Sequence, residues 1–274
     1  MKFYLHSFFD YCRPQLMDIF GASMNTKVHD ALFEYYSNPN QISNPELFER
    51  YMFALSQNSN TPDSIIRKYV EILEKKPKLQ EKCQQTFLLS LATLSRKSRE
   101  TELKSSVLKY LVQELLQCKT PECKQGHLRA LKNTGNAIVV PILIKLIESR
   151  ETDSKSALLA VEILSQFDFE ILKTKIRNLD QHLLTLLKDP EKELSLKSEI
   201  IEMILKFYPN SMENVKEIFQ MVKNSANKEL MALSVQKWMD LAENIPTLRD
   251  LFRYTYLLTY FYKLFIFYFY IVGL

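Results

Sequence analysis

Glycine is scarce, with four in 274 residues, and the four stand far apart at Gly21, Gly126, Gly135 and Gly273. A phosphate cradle needs several glycines in one short loop, so nucleotide-binding loops of that kind are excluded. Hairpin signals are missing too: there is no Asn-Gly or Asp-Gly step and no sustained alternation of apolar and polar residues. Little is left from which to build a sheet. The four cysteines, Cys12, Cys83, Cys118 and Cys123, fit neither a dense disulfide framework nor the repeated CxxC or CxxH groups of a zinc site. His6, His29, His127 and His182 read as standing alone, with no HExxH, and serine never falls in GxSxG. These absences point to a chain without metal, cofactor or catalytic centre, and therefore to a non-enzyme. Glu148, Glu151 and Asp153 read as solvated helix ends. The net charge of +4 comes from 36 basic and 32 acidic residues that are interleaved rather than gathered in a stripe, so nucleic acid is not an expected partner.

What is present is helical rhythm. HLRALKNTGNAIVVPILIKLIES, residues 127–149, closes one apolar-periodic segment on Asn-Thr-Gly-Asn and opens another through Val-Val-Pro. Glycine just past a helix supplies left-handed backbone, and proline fits the first turn of the next, so the stretch reads as a tight corner between helices. Beyond it, Val139, Ile142, Leu143, Leu146 and Ile147 share one face. Asp153 or Ser154 caps a helix with the stripe Ala157, Ala160, Val161, Leu164 and Phe167. Ile176, Leu179, Leu183, Leu184 and Leu187 form the next stripe. Asp189-Pro190 reads as a cap and first helical position for Ile200, Ile201, Ile204 and Leu205, and Tyr208-Pro209 ends that helix. Val215, Ile218, Phe219 and Val222 follow, then Met231, Val235, Trp238 and Met239. Upstream, helices are expected over 25–36, 45–55, 61–74, 80–95 and 101–117. Helix pairs recurring every roughly 35–45 residues are the mark of an α-solenoid, in which each pair buries its apolar faces on its neighbours.

Two ends differ from this pattern. MKFYLHSFFDYC carries one lysine before its aromatics but lacks a small-residue cleavage site, so it is not read as a signal peptide. YTYLLTYFYKLFIFYFYIVGL, residues 254–274, matches a membrane span of ~20 residues in length. Lys263 near its middle costs ~2.5–3.5 kcal/mol there, and the segment reads as a gene-model end in preference to an anchor. The organisation expected is therefore an N-terminal segment over 1–13, helices over 14–252 and an apolar aromatic tail over 253–274. In CKTPEC, Cys118 and Cys123 flank a proline turn, and the residues alone leave open a bridge or two free thiols.

The corner resembles one in the large lipid-transfer protein family, which includes vitellogenins, apolipoprotein B, apolipophorins and the microsomal triglyceride transfer protein large subunit. There, Leu-x-Ala-Leu-Gly-Asn-x-Gly precedes an Ile-Pro-x-Leu helix. The matching residues are Leu128, Ala130, Leu131, Asn133, Gly135, Pro141 and Leu143, with Lys132 where many members have glycine. Lys-Asn, together with LKFYPNSMENVKEIFQMV at 205–222 and NPELFERYMFALSQNSNTPDSIIRKYVEIL upstream, is most similar to the triglyceride transfer branch. The resemblance runs from about Pro14 to Phe252 and includes no catalytic signature.

The resemblance implies an all-α, right-handed α-α superhelix: a two-layer helical arch lying between a β-barrel and lipid-lining β-sheets that this sequence does not display. It implies the loading of triglyceride and phospholipid onto an apolipoprotein acceptor in the endoplasmic reticulum lumen, with protein disulfide isomerase as partner. It places Lys197 where the branch has a basic residue tying the arch to its barrel, with lysine in place of the usual arginine. In that oxidising compartment a Cys118–Cys123 bridge is expected. The alternatives left by the residues are a HEAT-like cytosolic scaffold binding proteins on its concave face and, from the tail alone, a tail-anchored adaptor.

Overall fold

The computed structural model describes residues 14–23, 25–37, 45–58, 61, 63–74, 81–207, 217, 218, 220–222, 224 and 227–244. The expected segments at 1–13 and 253–274, and the Tyr208-Pro209 stop, lie outside the described residues. The protein is all-helical, with no strand among the described residues. None of the described helices is long and apolar enough to cross a membrane. The chain divides into two compact units, Met1–Val139 and Val140–Leu274.

The first unit contains α1 (14–22), α2 (Thr26–Ser37), α3 (Pro45–Gln57), α4 (Asp63–Glu74), α5 (Glu81–Lys97), α6 (Thr101–Gln117), α7 (Pro121–Thr134) and a 3₁₀ turn (Ala137–Val139). Helix α5 packs against α3, α4, α6 and α7, so it must be apolar on more than one side. Its sequence meets that demand: Phe87, Leu88, Leu91, Ala92 and Leu94 are all buried. Next-but-one helices touch throughout, α2 on α4, α3 on α5, α4 on α6 and α5 on α7. Gly21 on α1 sits where an added Cβ would meet Ala54 Cβ at 2.6 Å, Tyr51 O at 2.7 Å and Leu55 N at 2.8 Å. In the same unit His29 is fully buried, with Nε2 2.8 Å from Ser23 O and Nδ1 2.9 Å from Tyr51 Oη. The carbonyl can only accept, so Nε2 carries the proton and Nδ1 accepts from the tyrosine.

The corner forms as its residues require. Helix α7 ends on Gly135, whose φ of +60° is left-handed and whose N–H donates to Lys132 O. Asn136 Oδ1 accepts from Ile138 N at the 3₁₀ turn, and Pro141 is the second residue of α8 (Val140–Glu148), where no helical N–H partner is lost.

The second unit continues with α8, α9 (Ser154–Leu164), α10 (Phe169–Lys175), α11 (Leu179–Lys188), α12 (Leu194–Phe207) and α13 (Lys228–Asn244). Helix α9 packs on α8 and α12, and α12 also meets α11 and α13. Asp153 caps α9 by accepting from Ser156 N at 2.9 Å, as expected. Other expectations need correction. On α8 the buried face includes Val140 and Ile144, whereas Ile142 and Leu146 are half-buried. Ile176 lies outside any helix, because α10 stops at Lys175 and Asn178 takes left-handed backbone, φ 56°, before α11. Pro190 does not begin α12: Asp189 Oδ1 accepts from Glu191 N in a turn, and the helix starts four residues later at Leu194. Met239 faces solvent, and among the described residues the buried positions of α13 are Leu230, Ser234 and Trp238.

Among the described residues, each unit holds one group that keeps its proton more tightly when folded. Burial drives Tyr69 well above its ordinary pKa of 10.0, assisted by neighbouring Tyr51. The hydrogen bond to Glu202 raises Lys237 from 10.5, with Glu199 adding to it against the opposing effect of burial. A raised folded pKa gives stability that is complete below the unfolded value and lost as pH climbs through the folded one. The urea midpoint should therefore hold steady from about pH 7 to 9.5 and fall above about 10, with Tyr69→Phe and Lys237→Met each flattening the fall. An unchanged alkaline limb in both variants would contradict this.

Candidate functional site

Lys197 sits in the first turns of α12, where its N–H donates to Glu193 O. Its side chain lines a cavity of about 610 Å³ in the second unit. Leu187, Leu194, Ile201, Met221, Val222 and Leu230 supply an apolar lining, and Lys188, Lys192 and Lys197 supply three cations. Two of these cations are already engaged. Lys188 Nζ reaches Glu217 at 2.8 Å, and Lys192 Nζ donates to Ile147 O at 2.7 Å and Ser149 O at 3.2 Å, closing the C-terminal end of α8. Lys197, half-buried, meets no carboxylate among the described residues. This is a place for an anionic group presented on an apolar neighbour, within the size range of ligand pockets.

Cys118 and Cys123 are joined in the first unit, with their Cα atoms 5.6 Å apart. Cys118 follows α6, and Cys123 occupies the third position of α7, its N–H bonded by the N-cap Thr120 Oγ1 at 3.2 Å. The expectation that His127 stands alone is wrong. It is 4% exposed, its Nδ1 lies 2.9 Å from Cys123 O, and the same atom is 3.4 Å from Cys118 Sγ and 3.8 Å from Cys123 Sγ. The sequence does carry that signal, since Cys123 and His127 are four apart on one helix and so share a face. His182 has a partner as well, Glu148 Oε1 at 2.6 Å, so that carboxylate is not merely a solvated end. Lys192 as a cap for a helix some 45 residues earlier carries no local signal.

Replacing both cysteines with serine should lower stability by about 2 kcal/mol, because a six-residue loop closes little unfolded-state entropy. Equilibrium denaturation of the double variant checks this; a loss above about 4 kcal/mol would show that more than loop closure is involved.

Compared with known proteins, the chain matches no family model and no curated sequence.

Proposed function

We propose that the chain is the helical arch of a lipid-transfer protein, most like the triglyceride transfer branch. In this reading it acts as a carrier component in the endoplasmic reticulum lumen, held by protein disulfide isomerase. Triglyceride and phospholipid move to an apolipoprotein acceptor through β domains beyond this sequence. The observation that carries the reading is the corner at residues 127–149, whose family-like residues build a left-handed glycine stop, a 3₁₀ turn and a proline-started helix. The next-but-one packing of α2 through α7 supports it, since two rows of helices are what a two-layer arch requires. So does Lys197, which meets no carboxylate among the described residues and falls where the branch has its basic barrel contact.

Co-expression with protein disulfide isomerase tests the reading directly. A complex that survives size-exclusion chromatography and requires residues 189–253 is the expected result. Two separate peaks at micromolar concentrations would replace the carrier with a protein-binding scaffold.

A further inference from the structure

We propose that Cys118, Cys123 and His127 form a zinc site that is closed while the two sulfurs are bonded and opens when the bridge is reduced. This goes beyond the carrier reading and does not depend on it. The two sulfurs and one imidazole nitrogen lie within 4.8 Å of one another. Tetrahedral zinc at about 2.3 Å from sulfur and 2.0–2.1 Å from nitrogen sets sulfur–nitrogen separations of about 3.6 Å and a sulfur–sulfur separation of about 3.8 Å. His127 Nδ1 already stands 3.4 Å and 3.8 Å from the two sulfurs. The sulfurs need to part and the hydrogen bond from Nδ1 to Cys123 O to give way, and Cys118 lies in the connection before α7, outside both helices. The imidazole is held ready: it is buried, and its place one turn beyond Cys123 fixes it over the pair. Two thiolates and an imidazole are a donor set that favours zinc over the hard cations, with water completing the tetrahedron.

The switch balances with a dithiol as the reductant. Its thiolate attacks Cys118 Sγ, and the bond to Cys123 Sγ breaks, leaving Cys123 as a thiolate at the N-terminal end of α7, where the helix end favours negative charge. The second thiol of the reductant then displaces Cys118, and the reductant departs as its own disulfide. Two electrons have passed to the protein, and two cysteine thiols result. Zinc replaces their two protons, which go to solvent. At His127 the proton that Nδ1 shares with Cys123 O moves to Nε2, and the Nδ1 lone pair turns to the metal. Exchange with an oxidised dithiol runs the same steps in reverse: its disulfide takes the two electrons and leaves as a dithiol, the bridge re-forms and the ion is released.

The test uses the full chain with Cys12→Ser and Cys83→Ser, leaving only the pair in question. After reduction and removal of the reductant, cobalt is titrated as a spectroscopic probe and then displaced by zinc. The expected result is one equivalent of cobalt with thiolate charge-transfer absorption, none in the oxidised protein, and affinity lowered more than about tenfold by His127→Asn. Cys123→Ser should abolish the band. If reduction alone lowers helical content, zinc added during reduction should restore it. The proposal is overturned if reduced, helical protein takes up no cobalt, if His127→Asn binds it equally well, or if zinc fails to restore helix lost on reduction.

Discussion

Trp238→Ala should destabilise the unit beginning at Val140 by about 3–5 kcal/mol, the usual cost of emptying a fully buried large aromatic position. Trp238 is fully buried on α13, and α13 packs on α12, whose Ile200, Ile201 and Ile204 are buried as well. Domains commonly hold about 5–15 kcal/mol in all, so this single loss consumes a large share. Urea unfolding followed by far-ultraviolet circular dichroism measures the shift. Met239→Ala provides the contrast on the same helix: that residue is 42% exposed, and its truncation should stay within about 0.5 kcal/mol. Because Trp238 is the only tryptophan, the parent's tryptophan emission, excited selectively at the red edge, reports on this unit. A Trp238→Ala variant that unfolds within about 1 kcal/mol of the parent would show that the helix is not seated as described.

Lys197→Glu should abolish docking to a barrel partner while leaving the fold intact. A desolvated interfacial charge pair costs about 2–5 kcal/mol when one member is removed, and reversal adds repulsion, so binding should weaken by about 30-fold or more. The fold is protected for two reasons. Lys197 makes no ion pair among the described residues that would be lost, and a carboxylate near the start of α12 suits the positive end of that helix. The measurement is barrel binding and triglyceride transfer in a protein that includes the β domains, with circular dichroism as the control. Lys197→Arg should bind at least as well, because a guanidinium can grip a carboxylate with two parallel bonds. Transfer at the parental rate by Lys197→Glu would remove Lys197 from the contact.

Much of the helical layout was legible because capping and breaking residues act locally. Thr101–Gln117 forms over the expected range, and Pro45, Asp153 and Gly135 stand where their backbone preferences place them. Errors arose where two local signals competed. Asp189-Pro190 carries the residues of a helix start, yet the turn closed by Asp189 prevails and delays α12 to Leu194. The run from Ile176 to Leu187 has helical spacing across a break, and spacing alone cannot show that Asn178 turns left-handed. On α13 the expected stripe and the buried one share Trp238 but diverge on either side, since a one-residue change of phase swings the apolar face by about 100°. The candidate sites were legible only in part. The i, i+4 relation of Cys123 and His127 is written in the sequence, whereas the competition for Lys188 and Lys192 depends on residues about 30 and 45 positions away.

Gly21 has a use as a diagnostic for one helix contact. Degenerate helical arrays share their rhythm widely, so rhythm makes a poor label for kinship. At Gly21 the obstruction to any larger residue comes partly from the main chain of α3, which cannot step aside as a side chain can. A true relative that keeps this contact must keep glycine there, whatever else drifts. A chain with the same periodicity and a bulky residue at that place has either parted the two helices or never had them together. One position near the start of the described structure can thus report whether these two helices touch, which the repeats themselves cannot.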